Sequence, residues 1–113
     1  MSVQPGTYNI TLQRRADYSL LLQFKDSDDA VIDLTGYTAY AQVWNEGRTK
    51  KYADFAIAYT DRSNGQITIS LTDTQTADFI DELRYDVLLE DGSENREYYL
   101  EGVIFVSQGY TAP

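Results

Sequence analysis

The sequence predicts an all-β chain folded as an antiparallel sandwich, on three observations. Apolar and polar residues alternate in several short runs, turn-forming clusters separate those runs, and no segment keeps a helical period beyond about two turns. The length of 113 residues predicts one domain, 1–113, with its core between about residues 7 and 107 and a short non-periodic tail at each end. A chain of this size buries roughly two-thirds of its unfolded surface, enough for one independent core.

The first predicted strand puts Tyr8, Ile10 and Leu12 on one face. After the polar break Arg14-Arg15-Ala16-Asp17, the row Tyr18, Leu20, Leu22, Phe24 repeats the pattern, and Leu21 predicts cover on both faces near the middle of that strand. Asp26-Ser27-Asp28-Asp29 is a turn, Ala30 to Leu34 a short extended arm, and Thr35-Gly36 a second break. Tyr37, Ala39, Ala41 and Val43 then alternate with Thr38, Tyr40, Gln42 and Trp44. Either row can be the core row, and a buried Trp44 is the favoured expectation, because a buried tryptophan is common at this place in such sandwiches.

Asn45 to Lys51 reads as a polar, basic loop. Phe55, Ile57 and Tyr59 mark a strand that turns at Asn64-Gly65, a pair that tolerates positive φ, into Ile67, Ile69 and Leu71. Thr72 to Ile80 breaks the alternation: Asp73 is the expected cap of a helical turn near residues 74–80, with Ala77 and Ile80 inward and Phe79 beside them. Tyr85, Val87 and Leu89 form the next strand, and Asp91-Gly92 opens the second hairpin. In the last strand, Tyr98 and Leu100 are expected on one face, with Tyr99, Val103 and Phe105 largely on the other. Gly102 is expected to mark a bulge. About seven strands, two hairpins and one helical turn predict an immunoglobulin-like antiparallel β-sandwich, with a small barrel as the alternative.

Composition excludes several function classes. The chain has no cysteine and no histidine, which removes thiolate chemistry, zinc sites and the usual nucleophile–histidine triads. Nine basic residues against eighteen acidic ones give a formal charge of −9, which repels phosphate backbones and argues against a nucleic-acid partner. No apolar run approaches the roughly 20 residues of a spanning helix, so no membrane partner is expected. The first residues show no secretory signal, which predicts synthesis in a host cytoplasm. Ten tyrosines suit both strands and interfaces.

Two acidic clusters are weighed for chemistry. Asp26, Asp28 and Asp29 begin a calcium-loop pattern but lack its glycine and distal glutamate, so a plain turn is expected. Asp73, Asp78, Asp81 and Glu82 read as a solvated face rather than as the paired acids of a glycoside hydrolase. No catalytic residue, cofactor or metal is predicted. Candidate protein-interface residues are Arg48, Lys50, Lys51 and Tyr52, in and beside the basic loop, and Tyr110 in the C-terminal tail. Tyr40 and Trp44 are a further candidate pair if their face is exposed.

Four segments in order resemble the immunoglobulin-like N-terminal domain of phage baseplate upper proteins. They are Arg15 to Leu20 running into Phe24 to Asp28; Ile32 to Ala39; Asn64 to Thr72 with Gln75 to Ala77; and Tyr85 to Leu89 leading to Glu101 to Ser107. The resemblance spans roughly Tyr8 to Ser107. It implies a virion component of a tail or baseplate that contacts other tail, baseplate or fibre proteins, in several copies of a symmetric assembly. It implies no catalysis. The related domain usually opens a longer chain, so an end at Pro113 favours an adaptor between the receptor-binding apparatus and the baseplate. The competing readings are a carbohydrate-binding module and a host-adhesion module. The tails Met1–Gly6 and Gln108–Pro113 and the loop Asn45–Lys51 are the expected contact segments.

Overall fold

The computed structural model describes residues 6–25 and 28–108. Nine strands appear in chain order: β1 Gly6–Thr7, β2 Ile10–Gln13, β3 Tyr18–Gln23, β4 Thr38–Trp44, β5 Lys51–Asp54, β6 Ala56–Asp61, β7 Gln66–Leu71, β8 Glu82–Glu90 and β9 Arg96–Ser107. A single helical turn, α1 Asp73–Thr76, lies between β7 and β8. The larger sheet runs β1-β9-β8-β4-β5, with β2 following β1 along β9; the smaller runs β3-β7-β6. This is an immunoglobulin-like β-sandwich. Its pairing is antiparallel except for β1 and β2, which run parallel to β9.

Between the sheets lie Ile10 and Leu12 of β2, Ala39, Ala41 and Val43 of β4, and Ile67, Ile69 and Leu71 of β7. Leu83, Tyr85, Val87 and Leu89 of β8 and Tyr99, Ile104 and Val106 of β9 complete the centre. Each large member contributes roughly 1.5–3 kcal/mol by leaving water. The inward row of β4 is thus the alanine and valine row, and Trp44 lies on the opposite face, half-buried, contrary to expectation. Leu21 is 57% exposed, so β3 is covered on one face only. Among the described residues β3 is also an edge strand, because the chain before it joins the other sheet.

A local break at Tyr8-Asn9 separates β1 from β2 along β9. The Tyr8 carbonyl bends in over Gly102 and accepts a hydrogen bond from the Tyr85 hydroxyl, 2.5 Å away. A Cβ on Gly102 would lie 2.0 Å from that oxygen. The Asn9 Oδ1 then takes the Val103 N–H at 3.1 Å, in place of the lost ladder bond. Tyr8 is therefore exposed, not aligned with Ile10 and Leu12. Gly102 marks this close approach and not a bulge. The register shift comes earlier: Val87 pairs with Leu100 but Leu88 with Tyr98, which leaves Tyr99 as the extra residue. Past it the faces are Ile104 and Val106 inward, Val103 and Phe105 outward, which corrects the grouping of Tyr99 with the latter two.

Both hairpins fall where predicted, by other means. Arg62–Asn64 forms a 3-10 turn closed by Gly65 at φ 72°, and only the glycine is left-handed. The Asn64 and Ser63 side chains donate to Asp61 and hold its carboxyl below the usual range. Gly65 also admits the arm leading to β4, since a Cβ there would meet the carbonyls of Ile32 and Phe24 at 2.7 and 2.8 Å. Arg62 fastens the same arm: its guanidinium lies 3.6 Å over the Tyr59 ring and donates to the Tyr37 carbonyl at 2.8 Å. In the second hairpin the Asp91 carboxylate accepts the N–H groups of Asn95 and Ser93, which lowers its pKa, and Glu94, not Gly92, is left-handed.

The helical turn is capped by Thr72, not Asp73. Thr72 and Gln75 exchange side-chain and backbone bonds in a capping box. Thr76 and Phe79 face inward while Ala77 and Ile80 are exposed, so the expected inward pair is displaced by one residue. Thr76 is buried completely, and its hydroxyl accepts the Ala16 N–H at 3.1 Å and donates to the Ala16 carbonyl at 3.0 Å. The Asp26-Ser27 half of the acidic turn and the tails, Met1–Pro5 and Gly109–Pro113, fall outside the described residues.

Two outcomes are expected in urea denaturation. Gly102→Ala lowers stability by about 2 kcal/mol or more, because a backbone carbonyl blocks the new methyl group, whereas Gly92→Ala, with nothing within 4 Å, changes it little. Thr76→Val costs about 1–3 kcal/mol by leaving the Ala16 backbone groups without their partner. An unchanged midpoint for either core variant contradicts the corresponding contact.

Candidate functional site

The outer faces of the two sheets differ in kind. On the smaller sheet the outward positions of β7 and β6 hold Thr68, Ser70, Ala56, Ala58 and Thr60, small or hydroxyl-bearing, and Thr60 and Thr68 pair with each other at 2.7 Å. On the larger sheet, register stacks the outward residues of β4, β8 and β9 in rows across the strands. Tyr40, Leu88 and Tyr98 form one row, Gln42, Asp86 and Glu101 the next, and Trp44, Arg84 and Val103 the third. Tyr40 is 46% and Tyr98 53% exposed. The rows line a shallow open depression of about 740 Å³.

The cations at its rim are already engaged. Arg84 bonds Glu82 at 2.9 Å and reaches Glu46 at 3.6 Å. Arg96 pairs with Glu90. The Arg48 guanidinium stacks 4.5 Å from the centre of the Trp44 ring, whose Nε1 donates to Gln42 Oε1 at 2.9 Å. In the middle row Asp86 and Glu101 stand opposite each other. Burial, and then the neighbouring Glu101 charge, push the Asp86 carboxyl above the ordinary 3.8, with Arg48 pulling the other way.

The residues nominated from sequence are distributed over two places. Arg48 sits at the rim of this face, at φ 55° in the β4–β5 loop. Lys50 lies 4.7 Å from the centre of the Tyr52 ring, and that ring meets Phe79 edge-on and packs against the core. Lys51 pairs with Asp54 at 3.1 Å. Tyr110 lies outside the described residues. Tyr40 was legible as one of an alternating pair, but Leu88 and Tyr98 were not. Their place beside Tyr40 depends on the strand register and on the Tyr99 bulge, which no local pattern reveals. Among the described residues, no group of three or more acidic side chains is placed to hold a metal ion, and no helix is long and apolar enough to cross a membrane.

No family model matches the chain, and no curated protein matches it. Among solved structures it is similar to the Lin-41 filamin domain, at a TM-score of 0.48 and 13% identity, over 88% of this chain and 84% of that one. The sandwich assignment stands on the strand pairing described above.

The Asp86 shift carries a pH dependence. Its folded pKa is raised, so between 3.8 and that raised value the native state binds more protons than the unfolded state, and stability falls as pH rises through this window. Asp86→Asn is therefore expected to raise Tm at pH 7. The gain should shrink as pH falls through this window and the natural carboxyl becomes protonated in the folded state. A lower Tm for Asp86→Asn at pH 7 contradicts this account of the face.

Proposed function

We propose that this chain is a non-enzymatic structural adaptor of a phage tail or baseplate, docking other tail proteins through the outer face of its larger sheet. The observation that carries the reading is the row of exposed Tyr40 and Tyr98 on either side of half-buried Leu88, with Trp44 and three arginines beside it. Tyrosine, tryptophan and arginine are the side chains that dominate binding energy at protein interfaces, because they combine large apolar area with polar ends at low entropic cost. The four segments resembling baseplate upper proteins support the tail assignment. The absence of histidine and cysteine, and a depression open to water, support a role without catalysis. The setting is a virion, in several equivalent copies around a symmetry axis.

A second reading, a carbohydrate-binding module, is favoured by one feature: exposed tyrosine rings beside a hydrogen-bonding row of Gln42, Asp86 and Glu101 can hold a sugar ring by stacking and by its hydroxyls. The two separate on co-assembly with the purified products of neighbouring tail genes and on a glycan array. The adaptor is expected to enter a ring-like complex, and Tyr40→Ser with Tyr98→Ser to weaken entry by roughly 30-fold or more, the size of one interface hot spot. Both side chains are exposed, so the double variant should keep its Tm. Saturable glycan binding without co-assembly would transfer the face to the second reading.

A further inference from the structure

The middle row of the docking face has an electrostatic imbalance that the chain corrects only in part. Asp86 and Glu101 are directly opposed across β8 and β9, on the outward side, where like charges repel. Among the described residues, neither carboxylate has an ion pair with a cation. The nearby arginines are held elsewhere: Arg84 by Glu82 and Glu46, Arg96 by Glu90, and Arg48 over the Trp44 ring, from which its charge offsets only part of what burial and Glu101 do to Asp86. We infer that the Asp86–Glu101 pair is the seat of a basic side chain, lysine or arginine, presented by the protein that docks on this face.

This rests on the reading of the face as a protein-docking surface and names the chemistry of its partner. Rows two residues apart along a strand are about 7 Å apart, so the carboxylates lie in a furrow between the Tyr40–Leu88–Tyr98 row and the Trp44–Arg84–Val103 row. The aliphatic stem of a lysine or arginine matches such walls, and tyrosine ring faces attract its charged head. One cation between two carboxylates removes their mutual repulsion and supplies donors to both; an incoming neutral group supplies donors only. The overall charge of −9 adds a long-range field that draws a basic surface toward the chain. A depression of about 740 Å³ is larger than one side chain, so a segment of the partner enters with the basic residue as its anchor.

The test uses the full chain, 15N-labelled, titrated with the peptide Ac-Gly-Arg-Gly-NH2. Saturable amide shifts are expected at Tyr40, Gln42, Asp86, Leu88, Tyr98 and Glu101. Asp86→Asn with Glu101→Gln should weaken binding by about ten-fold or more, and replacing arginine with uncharged citrulline should abolish it. Asp73→Asn with Asp78→Asn, neutralising the same charge elsewhere on the surface, should leave affinity within about two-fold. The inference is overturned if the arginine and citrulline peptides behave alike. It is equally overturned if both double variants lose affinity together, or if maltotriose shifts these amides while the arginine peptide does not. Co-assembly with tail proteins keeps the two readings apart. If the natural chain assembles and Asp86→Asn with Glu101→Gln assembles equally well, the seat is refuted and the docking role stands. If the natural chain does not assemble, the adaptor role fails, and the peptide titration decides the seat alone.

Discussion

Tyr8 gives the core its carbonyl and leaves its side chain outside. The Tyr85 hydroxyl reaches that carbonyl only because Gly102 has no side chain in the way, and the Asn9 amide repairs the ladder where the strand breaks. This contact fastens the break between β1 and β2 to β8 and β9, so both short strands continue along one edge of the larger sheet. With β1 and β2 on that side, the larger sheet is wide enough for a three-strand outer face, with β4, β8 and β9 all flanked by further strands. The smaller sheet is left with β3 as an edge, its Tyr18, Leu20 and Leu22 only half-buried. Burial at this place, and then the neighbouring Tyr18 and Tyr8, also push the Tyr85 pKa upward.

Much of this fold was legible in the sequence wherever side chains alternate without interruption. Ile67 to Leu71 and Tyr85 to Leu89 declare their inward rows by period alone, and both hairpins were placed by their turn residues. Legibility failed wherever a backbone contact from a distant segment shifts the phase. The Tyr99 bulge reverses the apparent faces of Val103 and Phe105, and the Tyr8 break takes a tyrosine out of its row. The helix cap is a subtler case. Asp73 and Thr72 are both good caps, and the reciprocal bond from Gln75 selects Thr72.

The candidate face illustrates the same limit for function. Tyr40 and Trp44 were visible as neighbours on one strand, but whether their face was inside or outside depended on which row the facing sheet would accept. The structure seats two alanines and a valine in the core between the sheets, and Trp44 is held outside by the Arg48 stack and its bond to Gln42. The basic loop was legible as a loop, yet its charges are spent locally. Arg48 and Lys50 lie over aromatic rings and Lys51 pairs with Asp54, so the loop shapes one rim of the face rather than offering free cations.

Energetics point to the same face from another direction. A sheet that needed only solubility would pair its outward polar groups, as the smaller sheet does with Thr60 and Thr68, or separate its like charges. The larger sheet instead places two carboxylates against each other, with one of them half-buried and raised in pKa, on a row bordered by exposed tyrosines. Each of these features costs stability or solubility in the isolated chain. Local choices that disagree with the rest of a well-packed fold concentrate where a protein does its work. Here three such choices fall within one furrow, and a bound basic segment would resolve all of them together: it covers the rings, neutralises the pair and removes the half-buried charge from water's competition.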